Sequence, residues 1–258
     1  MGKYSLSPEI KPIINKMGNV AFTAGDLLFD WISFEIPNGV TKITGITAKV
    51  AGAVSVPQEI DFNLIFAKSI NGVAPLILGL SNGEDGAAGS AAHALLQRSR
   101  PNIIASYSFD GSDCTNGIGL GSYSIYGGSS VAGLDAKYPV MLYNDDASDP
   151  ATEGYQTIYV AGFAVTSIDF GTNILIAGEH AADDLTIVVD GTPGADGVFC
   201  VGDIITAFHD DGSAEKAIGT VTALSDNLIT VDAAPVIIPD NHEVCNLSPI
   251  TFRMGLEY

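Results

Sequence analysis

A chain of 258 residues that is 47% hydrophobic and 16% charged has room for one large domain or two smaller ones, and its composition excludes a disordered polymer. With 11 Lys/Arg against 30 Asp/Glu the formal charge is −19, which argues against nucleic acid and anionic membrane as partners, because phosphate contact needs clustered cations. The 29 Gly and 12 Pro follow no Gly-X-Y period, which excludes collagen and fits many short strands joined by turns.

Residues 1–20 read as an arm. Pro8 and Pro12 break any helix, and the segment is expected to be disordered or laid across a partner. It has no apolar stretch of the kind a Sec signal carries, and Leu6 stands where myristoylation needs Ser or Thr, so neither is expected. Strand signals then dominate. In 30–36, Ile32, Phe34 and Ile36 point one way, and Pro37-Asn38-Gly39 makes a turn. The Thr, Ile and Val of 41–50 suit a strand. In 60–66, Ile60, Phe62, Leu64 and Phe66 share one face while Asp61 and Asn63 take the other, the pattern of a half-buried antiparallel strand. Ser69-Ile70-Asn71-Gly72 predicts a hairpin turn, with 73–80 returning as a strand. That apolar run is the longest in the chain and falls short of the roughly 20 residues a spanning helix needs. Residues 87–98, rich in Ala and Leu, predict one short helix stopped by Pro101. A strand is expected at 102–109, a Gly/Ser-rich surface loop at 111–133, and further strands at 138–143 and 157–170, with the acidic loop 144–154 between them.

A second unit begins near Gly171. Short strands are predicted at 185–189, 198–208, 217–224 and 227–231, the complement of a small barrel. LTIVVD at 185–190 and LITVD at 228–232 echo each other weakly. The closing segment 250–258 is strand-like and is expected to return to the first sheet. The predicted fold is therefore mainly β. An antiparallel jelly-roll-like sandwich of 21–170 is completed by 249–258, with a small barrel of 171–248 inserted and one short helix. The three cysteines (Cys114, Cys200, Cys245) make no disulfide scaffold and read as free, mostly buried thiols, with a Cys200–Cys245 bridge within the barrel as the lesser alternative.

Charge follows the same division. Residues 1–100 hold 8 Lys/Arg and 8 Asp/Glu, whereas 101–258 hold three cations (Lys137, Lys216, Arg253) against 22 carboxylates, the whole of the excess. A docking end and a solvated, self-repelling end are expected.

Catalytic patterns are weak. The glycines of NGIGLGS (Gly117, Gly119, Gly121) lack the spacing and following helix of a dinucleotide loop, and neither a P-loop nor a G-x-S-x-G motif occurs. His93, His180, His209 and His242 are too far apart in sequence for a helical zinc motif. Asp183 and Asp184 lack the aromatic cleft a glycosidase needs, since the one Trp, Trp31, lies on a predicted core strand. Arg98 and Arg100 suit the C-terminal end of the predicted helix. The best ligand set is Asp145, Asp146, Asp149 and Glu153, beside Asn144. It reads as a solvated acidic loop, with a divalent ion as the alternative. No cofactor and no catalytic residue is predicted.

The polar arm, the run FDWISFEIPNGVTKITGITAKV and the phrases VGDIITAF, AIGTVTAL and NLITVD resemble tailed-phage virion proteins, in particular capsid decoration (cement) proteins. The resemblance implies symmetric self-association, first as a trimer, and attachment to the major capsid protein or other virion proteins. It also implies a non-enzymatic role and a place in the virion after synthesis in the host cytoplasm. The alternative is a receptor- or glycan-binding module of a tail appendage, presenting Tyr123 and Tyr126 from the 111–133 loop.

Overall fold

The computed structural model describes residues 4–14, 21–40, 42–51, 59–78, 96–115, 123–127, 140–191, 194–208, 216–233 and 236–258. The chain is mainly β, and among the described residues every strand pair is antiparallel. One sheet runs β1 (Tyr4–Leu6), β16 (Ile250–Glu257), β3 (Lys42–Ala51), β7 (Tyr123–Gly127) and β6 (Cys114–Thr115), with β8 (Val140–Met141) also on β3. The second runs β2 (Leu27–Pro37), β9 (Tyr155–Ala164), β4 (Phe62–Ala67) and β5 (Ile103–Phe109).

Alternation decides which residues meet between the sheets. On β4, Phe62, Leu64 and Phe66 are fully buried; on β16, Ile250, Phe252, Met254 and Leu256 are. They join one core with Ile43, Ile46 and Val50 of β3 and Ile158 and Val160 of β9. Aromatic rings pack within and between the layers: Phe62 stacks on its cross-strand neighbour Phe109 with centroids 4.4 Å apart, and Phe29 lies 6.4 Å from Phe252 of the facing sheet. Strand β9 is buried along nearly its whole length because the second sheet is covered on its outer face too. There Leu27, Ala161 and Phe163 pack with Leu78, Trp31, Ile65 and Leu96.

That outer cover corrects the strand expected at 73–80 over its described residues, 73–78; residues 79–80 lie outside the described residues. The predicted turn forms: Ile70 and Val73 exchange both backbone hydrogen bonds at 3.0 Å. The ladder then ends. Leu78 N–H donates to the Asp30 carboxylate at 3.2 Å and Trp31 Nε1 donates to the Leu76 carbonyl at 3.1 Å, so side-chain contacts replace strand pairing. Of the helix expected at 87–98, the described residues 96–98 are helical, followed by a 3-10 turn at Arg100–Asn102. The rest lies outside the described residues. The loop expected at 111–133 instead carries β6 and β7, because Tyr-Ser-Ile-Tyr at 123–126 is strand sequence among the glycines.

The N-terminal segment also departs from expectation. It lies along its own chain: β1 pairs with β16, Ser7 N–H reaches the Met254 carbonyl at 2.9 Å, and Ile14 N–H reaches the Leu247 carbonyl at 2.8 Å. Ile10 and Ile14 are 4% and 0% exposed and belong to the main core. Proline exclusion of a helix says nothing against an extended strand at a sheet edge.

The second body is a closed barrel. Its order is β10 (Leu175–Ile176), β11 (Thr186–Asp190), β14 (Leu228–Val231), β13 (Lys216–Ser225), β12 (Ile204–Phe208) and β15 (Glu243–Asn246), which returns to β10. The two echoing segments are neighbours, with Ile187 opposite Ile229. The strand expected from 198 starts only at Ile204, because the Asp203 carboxylate captures Cys200 N–H at 2.8 Å and holds a turn. All four residues of β15 are buried, since the strand separates two cores. Val244 faces the barrel interior and Cys245 the sandwich; on β12, Ile205 and Ala207 serve the barrel and Phe208 the sandwich. At this seam buried Glu243 accepts Thr172 N–H at 2.6 Å and Asn173 N–H at 2.8 Å, satisfying a turn that would otherwise bury bare donors.

Cys200 and Cys245 are both free thiols, and Cys200 is exposed rather than buried. A maleimide should therefore modify Cys200 in the native chain and reach Cys245 only after denaturation, as read by peptide mass. Equal labelling of the two would contradict the seam packing.

Candidate functional site

The acidic loop 144–154 joins β8 to β9, and its polar groups turn inward on the backbone. Asn144 is buried. It receives no solvent role: its N–H donates to Gln156 Oε1 at 2.7 Å, and its Nδ2 donates to the Thr157 carbonyl at 2.9 Å and to Ser69 Oγ at 3.2 Å. Asn144 Oδ1 then accepts Asp146 N–H at 3.0 Å, Asp146 Oδ1 accepts Ser148 N–H at 3.0 Å, and Asp149 Oδ1 accepts Ala151 N–H at 3.3 Å. This is a chain of Asx turns, each side chain satisfying the amide two residues on.

The same carboxylates dock the loop on the turn after β4. Asp145 pairs with Lys68, and Asp146 Oδ2 accepts Gly72 N–H at 2.8 Å. Asp149 Oδ2 accepts Thr157 N–H at 2.7 Å. Hydrogen bonding to Lys68 holds the Asp145 carboxyl below its usual range, and the Gly72 amide does the same for Asp146. Burial, then the charges of Asp149 and Asp146, push the Tyr159 phenol upward. Glu153 is exposed at the loop's end. Of the four predicted ligands, three are thus engaged with protein donors. Among the described residues, no group of three or more His, Cys, Asp or Glu is placed to hold a metal ion.

The loop carries a pH dependence of defined sign. Carboxyls with a folded pKa below the unfolded value stabilise above the unfolded value and lose that contribution as pH falls through the folded one. Asp145 and Asp146 should therefore titrate below the ordinary 3.8 in an NMR titration read at their own carboxyl carbons. A midpoint at or above 3.8 for Asp146 would contradict the docking of the loop.

The remaining candidates are scattered. His180 is buried in the barrel unit with Nε2 3.0 Å from the Asp184 carbonyl, and Asp184 Oδ1 caps Thr186 N–H at 2.9 Å. His242 is buried in the turn before β15, while Asp183 adopts a positive φ of 70° in a separate turn. His93, His209 and the NGIGLGS glycines lie outside the described residues. Tyr123 and Tyr126 lie in β7, at the register of Ala51 and Ala48, rather than on a loop. Arg98 and Arg100 are exposed.

A surface that sequence reading did not single out lies at the sandwich edge. Strand β1 ends the first sheet, with Tyr4 70% and Leu6 72% exposed. Beside them a shallow, mostly apolar groove is lined by Ser5, Thr44, Gly255 and Leu256. Gly255 opens its floor, since a Cβ there would stand 3.0 Å from Thr44 Oγ1. Cations near this edge sit beside carboxylates: Lys42 lies 3.3 Å from Glu257, and Glu9 lies 3.4 Å from Lys11 and 3.8 Å from Arg253. The barrel differs sharply. Residues 171–248 hold 13 Asp/Glu against one Lys, Lys216. Among the described residues, no helix is long and apolar enough to cross a membrane.

No family model and no curated protein matches the chain. Among solved structures it is similar to the crystal structure of a serine protease of Aeromonas sobria, at 8% identity and a TM-score of 0.23. That match covers 99% of this chain and 28% of the protease, so the chain spans under a third of that protein's length. A likeness this slight carries no argument about fold or activity.

Proposed function

We propose that this chain is a non-enzymatic structural subunit of a tailed-phage virion that decorates or cements the capsid through its sandwich, with the N-terminal segment at the contact edge. The observation that carries the reading is the partition of surface character between two fused bodies. The sandwich ends in an exposed apolar edge with locally balanced charge, whereas the barrel concentrates 13 carboxylates and one cation. A strand that ends the sheet among the described residues offers main-chain groups for augmentation by a partner, and an anionic body resists clumping. The partners are the major capsid protein or another virion protein and further copies of the chain, the latter as a closed trimer.

Co-sedimentation of the full chain with assembled shells tests this. Tight binding that is lost with Tyr4→Lys and Leu6→Lys, in variants that stay folded, supports the reading; binding indifferent to both removes it. A second reading, a receptor- or glycan-binding head, is favoured by Tyr143 and Tyr155, which are exposed at the two ends of the docked acidic loop. Specific capture on a glycan array together with no affinity for shells would select it.

A further inference from the structure

The chain contains four Asn-Gly steps, and two of them, Asn38-Gly39 and Asn71-Gly72, lie among the described residues. Such a step is prone to succinimide formation, because glycine has no Cβ to hinder attack by its amide nitrogen on the Asn side chain. Both asparagines are exposed and both sit in turns.

Their surroundings differ. Gly72 N–H donates to Asp146 Oδ2 at 2.8 Å. Asn71 and Gly72 hold φ of 54° and 74°, the two positive values of a type I′ turn, which is closed from both sides by the Ile70–Val73 hydrogen bonds. The acidic loop presses on this turn, so a Cβ on Gly72 would lie 2.9 Å from the Ser148 carbonyl oxygen. The turn at 37–40 is closed once on itself, by Val40 N–H to the Pro37 carbonyl at 3.2 Å, and Asn38 N–H donates to the Gly154 carbonyl at 2.9 Å, but Gly39 N–H, the attacking group, meets no acceptor among the described residues. Around Gly39 there is space, with only the Tyr258 ring 3.7 Å from a built Cβ.

We propose that Asn38 is a site of spontaneous deamidation, and that Asn71, the same dipeptide step, is protected by the Asp146 carboxylate. At Asn38, the Gly39 amide loses its proton to solvent base and its nitrogen bonds to Asn38 Cγ. The Cγ–Nδ2 bond breaks and ammonia leaves. Water then opens the ring at either carbonyl, giving aspartate or isoaspartate. The product carries one more negative charge, and the isoaspartate route adds a methylene to the backbone between β2 and β3. At Asn71, the same attack must first release Gly72 N–H from a charged acceptor, and the amide anion must form against that charge. A carboxylate is in any case far too weak a base to take an amide proton itself.

The test is incubation of the full chain in mildly alkaline buffer, with peptide mapping and isoaspartate detection. Asn38 is expected to convert about tenfold or more faster than Asn71 in the folded chain. In denaturant the two rates should converge to within a few-fold. Asp146→Ala should narrow the ratio of the Asn38 rate to the Asn71 rate by speeding Asn71; Asp146→Asn, which keeps an acceptor without charge, should fall between. Equal folded-state rates in the unaltered chain would overturn the proposal without any variant. A slower Asn71 in Asp146→Ala would also overturn it, by making the carboxylate the base.

Discussion

Deletion of residues 1–14 is expected to abolish cooperative folding of the sandwich. The segment supplies β1, covers the edge of β16, and places Ile10 and Ile14 in the main core at 4% and 0% exposure. Truncating a buried Ile costs about 2–5 kcal/mol, and a domain has about 5–15 kcal/mol in total. Losing both side chains together with the hydrogen bonds to Met254, Phe252 and Leu247 approaches that whole reserve. Ile14→Ala alone should lower the urea midpoint by an amount corresponding to about 3 kcal/mol without changing the slope. If the truncated chain melts at the same temperature as the intact one, the packing of this segment is wrong. The result matters for function. Loss of shell binding after truncation cannot be assigned to docking, whereas exposed Tyr4 and Leu6 can be changed without touching the core.

Placing a side chain at Gly162 should be nearly as damaging. Gly162 sits on β9 opposite Phe29 of β2, and a Cβ built there would lie 2.2 Å from Phe29 Cε1 and 2.7 Å from two further ring carbons. The ring has nowhere to go. It is 1% exposed and packs against Phe252 of the facing sheet. Gly162→Ala is expected to cost about 1–3 kcal/mol and Gly162→Val more, by overpacking. Phe29→Leu should relieve the clash, so the double variant should lose less than the sum of the single losses, with a coupling of about 1 kcal/mol or more in a double-mutant cycle. Strict additivity would show that the ring does not sit over the glycine.

Much of the fold was legible because burial imposes a period of two. Ile60, Phe62, Leu64 and Phe66 needed nothing else to place them, and their strand lies where the alternation put it. The strand at 123–127 was hidden by the glycines around it, since composition over a window masks a five-residue strand. The run 73–78 misled for the opposite reason. Leu78 alone of its large apolar residues packs on the outer face of a sheet while Val73, Leu76 and Ile77 stay exposed, and its hydrogen bonds go to Asp30 and Trp31, which no local pattern encodes. The acidic loop looked like a ligand set because sequence counts carboxylates and not their donors. The spacing of Asn144, Asp146 and Asp149, each capping the amide two residues on, was the available signal for Asx turns instead. Lys68 and Gly72, more than 70 residues away, could be found only in three dimensions.

The reading of the chain as a two-faced virion subunit is tested most directly by amide hydrogen exchange on the intact protein, free and bound to assembled shells. Contact through the sandwich edge predicts new protection in 4–14 and 250–257, with the barrel strands between 174 and 246 exchanging as they do in the free chain. New protection confined to the barrel, or none anywhere at saturating shell, would contradict it.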